Sequence, residues 1–276
     1  MHLINRSYLF VSGNRPECFL KAINSGAHAV IIDLEDGVAL SEKDSVRKSV
    51  GEWLNSGQPV VLRINGAETQ WFASDLALCS KPGVSAVMLA KAETSDQVRL
   101  VKDHVGVATA IMPQIESARG MANALEIAQC AGVQRLVFGS LDFQVDMGIE
   151  GDDTELLYFR SHLVLISRLA GVQPPVDTPS TAIDSPKLLR TTTERARRLG
   201  FGGKLCIHPK QVPIINASFL PSSDEVAWAK KVLDAAAATG GSAVALDGTM
   251  VDRPVILKAE RVMVEAQRAS SDGHAN

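Results

Sequence analysis

Short apolar segments alternate along the chain with longer segments whose apolar residues recur at helical spacing. The short segments are apolar almost throughout, as in residues 29–34 and 60–64, which is typical of strands covered on both faces of a parallel sheet. Alternation of such strands with helices indicates βαβ units. Eight strands are predicted, at residues 8–11, 29–34, 60–64, 86–89, 108–112, 135–139, 175–178 and 204–207.

The predicted helices lie between these strands, with Ser41 and Thr94 as candidate N-terminal caps. Eight β–α repeats that end near residue 218 favour a (β/α)8 TIM barrel over an open doubly wound sheet. The sequence also lacks a Walker loop and a Gly-x-Gly-x-x-Gly motif after the first strand. We therefore predict an α/β fold in which residues 1–218 form a TIM-barrel catalytic domain. The helices are predicted at residues 41–54, 94–105, 119–129, 154–170 and 187–199.

A barrel does not need the residues that follow, and residues 219–269 are predicted to form a C-terminal helix–hairpin–helix extension. Ser222 and Glu225 form a capping-box pattern at its first helix, and Asp247-Gly248 marks its hairpin turn. Residues 270–276 are predicted to be disordered. The extension is expected either to pack on its own barrel or to cap the site of a neighbouring subunit.

The composition excludes several classes of protein. The 276 residues are 46% hydrophobic and 21% charged, with a net charge of −3 and 5% aromatic residues. Global disorder, a basic nucleic-acid footprint and a base-stacking surface are therefore excluded. The apolar runs are far shorter than the roughly 18 residues of a membrane span, and the N-terminus has no signal-peptide core. Four widely spaced cysteines match neither a zinc site nor a disulfide framework, so a reduced, cytoplasmic compartment is expected.

Polar residues follow the predicted strands at the end where barrel enzymes place their active sites. This set is heavily acidic, and its carboxylates repel one another unless a cation offsets their charge. A divalent ion would do so, and Mg²⁺ takes one or two carboxylates together with water and substrate oxygens. The set comprises Asp33, Glu35, Asp36, Arg63, Asn65, Lys91, Glu93, Gln114, Glu116, Asp142, Asp146 and His208.

Glu116 and Asp142 are the best pair of candidate metal ligands. They lie at the ends of the predicted fifth and sixth strands, and neighbouring strands are about 4.8 Å apart. The alternative is that one of them only caps the helix that follows. Asp33 and Glu35 face the same side because side chains alternate along a strand. With Asp36, they form a charged loop with a helix cap, ligate the metal directly, or support the metal ligands without binding the ion.

Arg63 ends an otherwise apolar strand and needs an anionic partner, since an unpaired buried charge is too costly. Its planar fork suits a carboxylate or a developing enolate oxygen, and a purely structural ion pair is the alternative. Lys91 raises the possibility of a Schiff-base aldolase, but nearby acids such as Glu93 favour its protonated form. His208 is interpreted as a hydrogen-bonded core histidine rather than a catalytic group.

Six motifs stand in order along the chain: RSYLFVSGNRP at 6–16, IDLEDGV at 32–38, VLRIN at 61–65, IESARG at 115–120, FGSLDF at 138–143 and IHPKQ at 207–211. Together they resemble the citrate lyase β-subunit-like branch of the HpcH/HpaI aldolase/citrate lyase family, which includes malyl-CoA and citramalyl-CoA lyases. The resemblance covers residues 6–268. Ser12 and Ala90 stand where the family usually has proline, and residues 176–186 are less typical, which puts the identity of the substrate in doubt.

The resemblance implies a Mg²⁺-dependent carbon–carbon lyase on a TIM barrel that assembles as a homotrimer or hexamer. Its substrate would be a 3-hydroxyacyl-CoA thioester, cleaved to an acyl-CoA and a 2-oxo acid such as pyruvate, glyoxylate or oxaloacetate. By this resemblance Glu116 and Asp142 match the family's metal ligands. Arg63 matches the arginine that stabilises the enolate or carbonyl oxygen.

The resemblance also implies which residues contact coenzyme A. Phe10 matches an apolar contact with the nucleotide, and Arg15 and Lys21 match cations that pair with its phosphates. Asp252 matches an aspartate that relatives extend from the C-terminal segment over a neighbour's active site. In the condensation direction it is the candidate base that removes the α-proton.

Other functions remain open from the sequence. One is a divalent-metal aldolase that acts on free hydroxy-oxo acids. Another is a citrate lyase β-type subunit whose thioester is borne by a carrier protein, or a binding protein without turnover. A Schiff-base mechanism at Lys91 is a further alternative.

Overall fold

The computed structural model describes residues 4–238, 243–246 and 248–272. Within it the chain divides into two compact units, Met1–Asn216 and Ala217–Asn276. The first unit contains a closed barrel of eight parallel strands in sequence order, as the predicted TIM barrel requires. The strands are β1 Ser7–Ser12, β2 Ala29–Asp33, β3 Val60–Ile64, β4 Val84–Leu89, β5 Ala110–Ile115, β6 Val137–Phe138, β7 Val176–Asp177 and β8 Gly203–Cys206.

Helices connect the strands, and short 3-10 turns precede several of them. The fifth predicted helix, residues 187–199, is present as a single helix one residue longer at its N-terminus. The helices of this unit are α1 Phe19–Ile23, α2 Lys43–Trp53, α3 Phe72–Leu76, α4 Ser95–Lys102, α5 Ala118–Ala122, α6 Ala124–Ala128, α7 Ser140–Met147, α8 Leu157–Leu169, α9 Pro186–Leu199 and α10 Val212–Ser218, the last of which crosses the boundary between the units.

The barrel interior is filled by apolar side chains from all eight strands. Side chains alternate across each strand, so every second residue points inward. The interior cluster therefore takes one or two residues from each strand, and all of them are nearly inaccessible to solvent. Toward the carboxyl ends of β2, β3 and β5, the next inward positions are the polar residues Asp33, Arg63 and Gln114. The cluster consists of Tyr8, Ile31, Val61, Ala86, Met88, Met112, Val137, Val176 and Leu205.

Buried charges between strands and helices are paired. The carboxylate of Asp177 on β7 accepts from Arg160 Nε at 3.1 Å and from Lys204 Nζ at 3.0 Å. Burial alone would raise the pKa of Asp177, but the two cations lower it below its ordinary value. Arg135 donates to the backbone carbonyls of Asn5, Pro174 and Pro175. Each buried charge thus has the partners that its desolvation requires.

Several predicted boundaries were wrong for local reasons. The strand predicted to stop at Met112 continues to Ile115, and Pro113 pairs in register with Leu89 of β4. A strand can accommodate a proline where that residue's nitrogen is not needed for the ladder. The helix predicted at 119–129 is two short helices that meet at Asn123.

Of the predicted helix caps, Thr94 was correct and Ser41 was wrong. Thr94 accepts from Gln97 N, and the Gln97 side chain accepts from Thr94 N, which is a complete capping box. Ser41 lies inside the 3-10 turn Leu40–Glu42, and α2 begins after Glu42 without a side-chain cap.

The second unit is a helical hairpin with a small two-stranded sheet. Its elements are α11 Ser223–Ala238, β9 Val244–Leu246, β10 Thr249–Val251 and α12 Arg253–Asp272. The predicted capping box is present, since Glu225 N donates to Ser222 Oγ at 3.1 Å and Ser222 N donates to Glu225 Oε2 at 2.8 Å. Asp247, in the predicted turn, lies outside the described residues.

The tail predicted to be disordered from residue 270 is helical as far as Asp272. Once a helix is nucleated, adding a residue costs little, so α12 extends past the last apolar position. Residues 273–276 of that predicted tail lie outside the described residues. None of the described helices is both long enough and apolar enough to cross a bilayer.

Candidate active site

A cavity of about 400 Å³ opens at the carboxyl ends of the barrel strands, the end where barrel enzymes carry out their chemistry. Seven of the eight strands, or the residues directly after them, contribute to its wall. Six of the polar residues predicted at the strand ends line it. The wall comprises Phe10, Ser12, Asp33, Asp36, Gly37, Arg63, Gln114, Glu116, Gly139, Leu141, Asp142, Thr178, Pro179, Leu205 and Ile207.

Asp33 and Arg63 form a buried two-point ion pair at the base of this cavity. They are register partners on the adjacent strands β2 and β3. Arg63 Nε donates to Asp33 Oδ1 and Arg63 Nη2 donates to Asp33 Oδ2, both at 2.7 Å. Burial would raise the pKa of Asp33, but the charge and hydrogen bonds of Arg63 hold it below its ordinary value. The fork of Arg63 is therefore locked in one orientation.

Glu35 links this pair to Lys91. Its carboxylate lies 3.2 Å from Arg63 Nη1 and forms a close ion pair with Lys91 Nζ. Asp33 and Glu35 thus face the same side, as their alternation predicts. Lys91 Nζ also lies 3.7 Å from both Asp36 and Asp142. Although burial lowers the pKa of Lys91, its pairing with Glu35 and the charges of Glu116 and Asp36 raise it above its ordinary value overall. A protonated amine does not form a Schiff base.

Lys43, which sequence analysis missed, holds the loop that carries Glu35. Its ammonium donates at 2.7 Å to the backbone oxygens of Leu34 and Glu35 and to Asn65 Oδ1. All three of its donors are used, so the loop after β2 is fixed in place. Asn65 in turn donates to Asp75 at 2.6 Å. Lys43 lies in a helix rich in charged residues, and nothing in its sequence context distinguishes it from a solvent-exposed lysine.

Glu116 is buried directly after β5 and faces the cavity. Its carboxylate accepts from Lys91 N and from Gln114 Nε2, both at 2.9 Å. Burial, followed by the nearby charge of Glu35, raises the pKa of Glu116 to about 8. The charge of Arg63 opposes this shift only in part, because Arg63 is engaged with Asp33. An acid held in this way binds a cation at the expense of its proton.

Lys91 adopts a left-handed backbone conformation, with φ of 50°, in order to present its amide to Glu116. Among the described residues it is the only one other than glycine with positive φ. Such a conformation costs free energy and persists only where the surrounding contacts enforce it. The turn after β4 therefore serves to position the Glu116 carboxylate.

Gly139 leaves the space that the Glu116 carboxylate occupies. A Cβ atom at Gly139 would lie 2.2 Å from Glu116 Oε1 and 2.7 Å from its Cδ. We expect Gly139→Ala to displace the carboxylate and to weaken binding of a divalent ion by about tenfold or more, since ligand placement decides affinity. Titration calorimetry with the metal alone would measure this. Gly106→Ala, at an exposed position where the new Cβ would make only an ordinary contact of 3.6 Å with Thr109, is the matched control. Unchanged metal affinity in the Gly139 variant would contradict this assignment.

Asp142 lies in the first turn of α7 rather than at the end of a strand, and its side chain is 42% exposed. It lines the same cavity as Glu116, and its charge contributes to the raised pKa of Glu116. The two acids therefore point toward a common space. Among the described residues no three His, Cys, Asp or Glu side chains converge as a complete metal site. Two carboxylates with room for water and a ligand match the way Mg²⁺ is held, and the residues fit that ion.

The residues predicted to contact coenzyme A or to act as the base lie in different surroundings. Phe10 lines the cavity, and its ring covers the Arg63 guanidinium at 4.5 Å. Arg15 and Lys21 are exposed, and Arg15 Nε pairs with Glu17 at 2.9 Å. Asp252 belongs to the second unit, where its Oδ1 accepts from Val255 N at the start of α12.

Three other polar residues at the strand ends have structural partners. Asp146 caps α5 by accepting from Ala118 N at 2.7 Å. Glu93 accepts from Ser117 Oγ at 2.6 Å. His208 caps the 3-10 turn after β8, because its Nδ1 accepts from Lys210 N. His208 thus has a structural partner, as expected, although it is at the surface of the turn and not in the core.

Comparison with known proteins agrees with this geometry. Residues 6–209 match the HpcH/HpaI aldolase/citrate lyase family. The chain is 33% identical to citrate lyase subunit beta of Leuconostoc mesenteroides subsp. cremoris, with 94% of this chain and 92% of that protein covered. It is 30% identical to a (3S)-malyl-CoA thioesterase of Cereibacter sphaeroides, with 97% and 96% covered.

A solved structure has the same fold over nearly its whole length. It is the protein CitE from Mycobacterium tuberculosis in complex with magnesium, acetoacetate and coenzyme A. It matches with a TM-score of 0.86 and 30% identity, covering 97% of this chain and 100% of that chain. A family match over most of the chain, relatives of 30% identity or more and a closed eight-stranded barrel all agree. The chain is therefore an enzyme of the HpcH/HpaI aldolase/citrate lyase family.

Proposed function

We propose that this protein is a Mg²⁺-dependent carbon–carbon lyase that cleaves a 3-hydroxyacyl-CoA thioester into an acyl-CoA and a 2-oxo acid. The observation that carries the proposal is the buried Glu116 carboxylate, whose pKa is raised to about 8 beside Asp142 in an open cavity. Such a site is relieved by a divalent cation. In support, CitE of M. tuberculosis has been solved with magnesium together with pyruvate, oxaloacetate, or acetoacetate and coenzyme A.

Glu116 and Asp142 would hold the ion through carboxylate oxygens, with water and ligand oxygens completing its coordination. When bound, the ion supplies Lewis-acid polarisation of the oxygen next to the bond that breaks. Lys91 N and Gln114 Nε2 keep the Glu116 carboxylate in one orientation. The chain thus prepares the site before the ion arrives.

Arg63 would stabilise the charge that develops on the thioester oxygen. Cleavage requires that the substrate hydroxyl loses its proton, that its carbonyl forms as the C–C bond breaks, and that the bonding electrons pass into a thioester enolate. A proton added to the enolate carbon completes the acyl-CoA. Because Asp33 and Glu35 hold the guanidinium in place, Arg63 needs no reorganisation when charge appears in the cavity.

We propose that Asp252 is the base that removes the α-proton of the acyl-CoA in the condensation direction. In a homotrimer or hexamer, the second unit of a neighbouring subunit would supply it. We expect Asp252→Asn to slow exchange of that proton with deuterated solvent by about 100-fold or more, because general-base catalysis contributes on that scale. Proton NMR of acetyl-CoA with the protein and a 2-oxo acid analogue would measure the exchange. Exchange at the wild-type rate would assign the base elsewhere.

The proposed reaction is tested with a panel of malyl-, citramalyl- and citryl-CoA thioesters, assayed with Mg²⁺ and after chelation. We expect 2-oxo acid and acyl-CoA to form only with the metal. Turnover of free 4-hydroxy-2-oxo acids alone would identify an aldolase of the other branch. Hydrolysis of the thioester without C–C cleavage, or activity only with a carrier-bound thioester, would likewise replace the proposal.

Coenzyme A recognition is proposed to involve Phe10, Arg15 and Lys21. We expect Lys21→Ala to raise KM for the CoA thioester several-fold with little change in kcat, because one exposed phosphate contact contributes to binding but not to the chemical step. Lys48→Ala removes another exposed lysine from the neighbouring helix α2 and serves as the control. Equal KM values in the two variants would remove Lys21 from the proposed CoA site.

A further inference from the structure

Lys91 is connected to both carboxylates that are proposed to hold the metal, although the proposed reaction gives its ammonium no task. Its backbone amide donates to Glu116 Oε2 at 2.9 Å, and its Nζ lies 3.7 Å from Asp142 Oδ1. Glu116 is buried, whereas the Asp142 side chain is 42% exposed. The residue that orients the buried acid thus also brings a positive charge to the accessible one.

The ammonium of Lys91 is held among three carboxylates. It forms a close ion pair with Glu35, and it lies 3.7 Å from Asp36 Oδ1 as well as 3.7 Å from Asp142 Oδ1. Carboxylates gathered in this way repel one another unless a cation offsets their charge. In the metal-free protein, Lys91 therefore supplies part of the positive charge that a divalent ion would bring.

Arg63 and Lys43 also lie near Glu35, but both are fixed in place by other contacts. Arg63 donates to Asp33 at two points, and its side chain is only 10% exposed. All three donors of the Lys43 ammonium are already used. The Lys91 side chain is 42% exposed, so its ammonium can move among the neighbouring acids without leaving an enclosed position. Lys91 is therefore the cation whose place an incoming metal ion can change.

We propose that Lys91 is an internal counter-ion of the metal site, whose ammonium competes with the divalent ion for Asp142 and favours the anionic ligand that binds after the ion. This role rests on the proposed function, which places the metal at Glu116 and Asp142. When the ion binds, two positive groups share the Asp142 carboxylate and repel each other, so the ion alone is held less tightly. A ligand carboxylate beside the ion is attracted by both, so it is held more tightly. Lys91 thus disfavours the ion alone relative to the complex of ion and anionic ligand.

Titration calorimetry with Mg²⁺ alone, and then with pyruvate added to the Mg²⁺-loaded protein, tests this role without requiring turnover. Lys91→Met removes the charge but keeps the length of the side chain and the backbone amide that contacts Glu116. We expect the variant to bind Mg²⁺ about tenfold more tightly and pyruvate several-fold more weakly than wild type. Loss of local structure would instead weaken both. Weaker or unchanged binding of Mg²⁺, or pyruvate binding as tight as in wild type, would overturn the proposed role.

Three further variants separate the charge of Lys91 from its size and from the net charge of the protein. Lys91→Gln, which is polar but uncharged, should show the same two shifts as Lys91→Met. Lys91→Arg keeps the charge and should leave both dissociation constants within about threefold of wild type. Lys48→Met removes an exposed lysine from α2 and should change neither constant. Shifts in Lys48→Met as large as those in Lys91→Met would assign the effect to net charge and overturn the role of Lys91.

Failure of the counter-ion role can be told apart from failure of the proposed reaction. The two opposite shifts in Lys91→Met, without cleavage of any thioester by wild type, would support the counter-ion and contradict the lyase. Mg²⁺-dependent cleavage, with the same Mg²⁺ affinity in wild type and in Lys91→Met, would support the lyase and contradict the counter-ion. Absence of Mg²⁺ binding to the wild-type protein would contradict both.

Discussion

Glu116→Gln is expected to abolish Mg²⁺-dependent turnover and, in metal-free buffer at pH 8, to make the protein more stable than wild type. Glutamine cannot bind Mg²⁺ as a carboxylate does, but it has the same shape and hydrogen-bonding length. Its carbonyl oxygen can accept from Lys91 N. Gln114 Nε2 faces this side chain in the wild-type protein and Gln114 Oε1 is buried without a partner, so a flip of the Gln114 amide lets the new amide donate to Oε1. The substitution therefore removes the function while relieving the local strain.

The direction in which the pKa of Glu116 is shifted determines how the stability of the protein changes with pH. The pKa of Glu116 is raised from an ordinary value of 4.5 to about 8, first by burial and then by Glu35. The folded state thus favours the protonated form, so stability is fully present below pH 4.5 and is lost as the pH rises toward 8. In the metal-free wild type this loss is on the order of a few kcal/mol. The glutamine side chain does not titrate, so the variant does not lose stability in this way as the pH rises.

Thermal unfolding of chelator-treated protein between pH 5 and pH 8 measures the effect. We expect the variant to melt on the order of 5 °C above wild type at pH 8 and close to it at pH 5. Adding Mg²⁺ should raise the Tm of wild type but not of the variant. Glu52→Gln, at an exposed position on α2, controls for loss of a negative charge. Retained turnover, or a variant less stable than metal-free wild type at pH 8, would refute the role assigned to Glu116.

Arg63→Lys is expected to lower kcat by about 100-fold or more, while Arg63→Ala should in addition destabilise the fold. Lysine keeps the charge but cannot make the two parallel contacts with Asp33 and the third with Glu35. Removing one positioned donor at a developing anion typically costs about 10²–10³ in kcat. Alanine leaves Asp33 buried without its cation, which costs about 3–5 kcal/mol, whereas Glu35 keeps its ion pair with Lys91.

The Arg63→Ala variant also has a characteristic pH profile. In wild type the pKa of Asp33 is held below its ordinary value, so the pair stabilises the fold above that ordinary value and loses this contribution as the pH falls. Without Arg63, burial raises the pKa of Asp33 and the variant loses stability as the pH rises. The difference in unfolding free energy from wild type should therefore be larger at pH 7 than at pH 4.

Urea unfolding at the two pH values measures this difference. Arg99→Ala, which breaks an exposed pair with Asp96, should leave the unfolding free energy close to that of wild type at both pH values. A pH-independent loss for Arg63→Ala would mean that packing against Phe10, rather than the ion pair with Asp33, holds the arginine in place.

Local pattern alone was enough to predict much of this molecule. The eight apolar segments of residues 8–207 specify a barrel because strands buried on both faces must lie in a covered parallel sheet. The polar residues at the ends of those strands had to share one edge of the barrel, and Asp33, Arg63 and Glu116 do so. The capping boxes at Thr94 and Ser222 were predictable as well, since they depend on neighbours three residues away.

Contacts between distant parts of the chain could be seen only in three dimensions. The pairing of Lys91 with Glu35 spans 56 residues, the contact of Lys43 with Asn65 spans 22, and the raised pKa of Glu116 depends on charges from other strands. A glycine is needed at position 139 because the Glu116 carboxylate occupies the space of a Cβ atom there, and not because of the backbone conformation of Gly139. Spacing along the chain determines which residues reach the mouth of the barrel. The closure of the barrel determines which of them are in contact and how far each is desolvated. Electrostatic and packing energies fall steeply with distance, and those distances exist only in the folded chain.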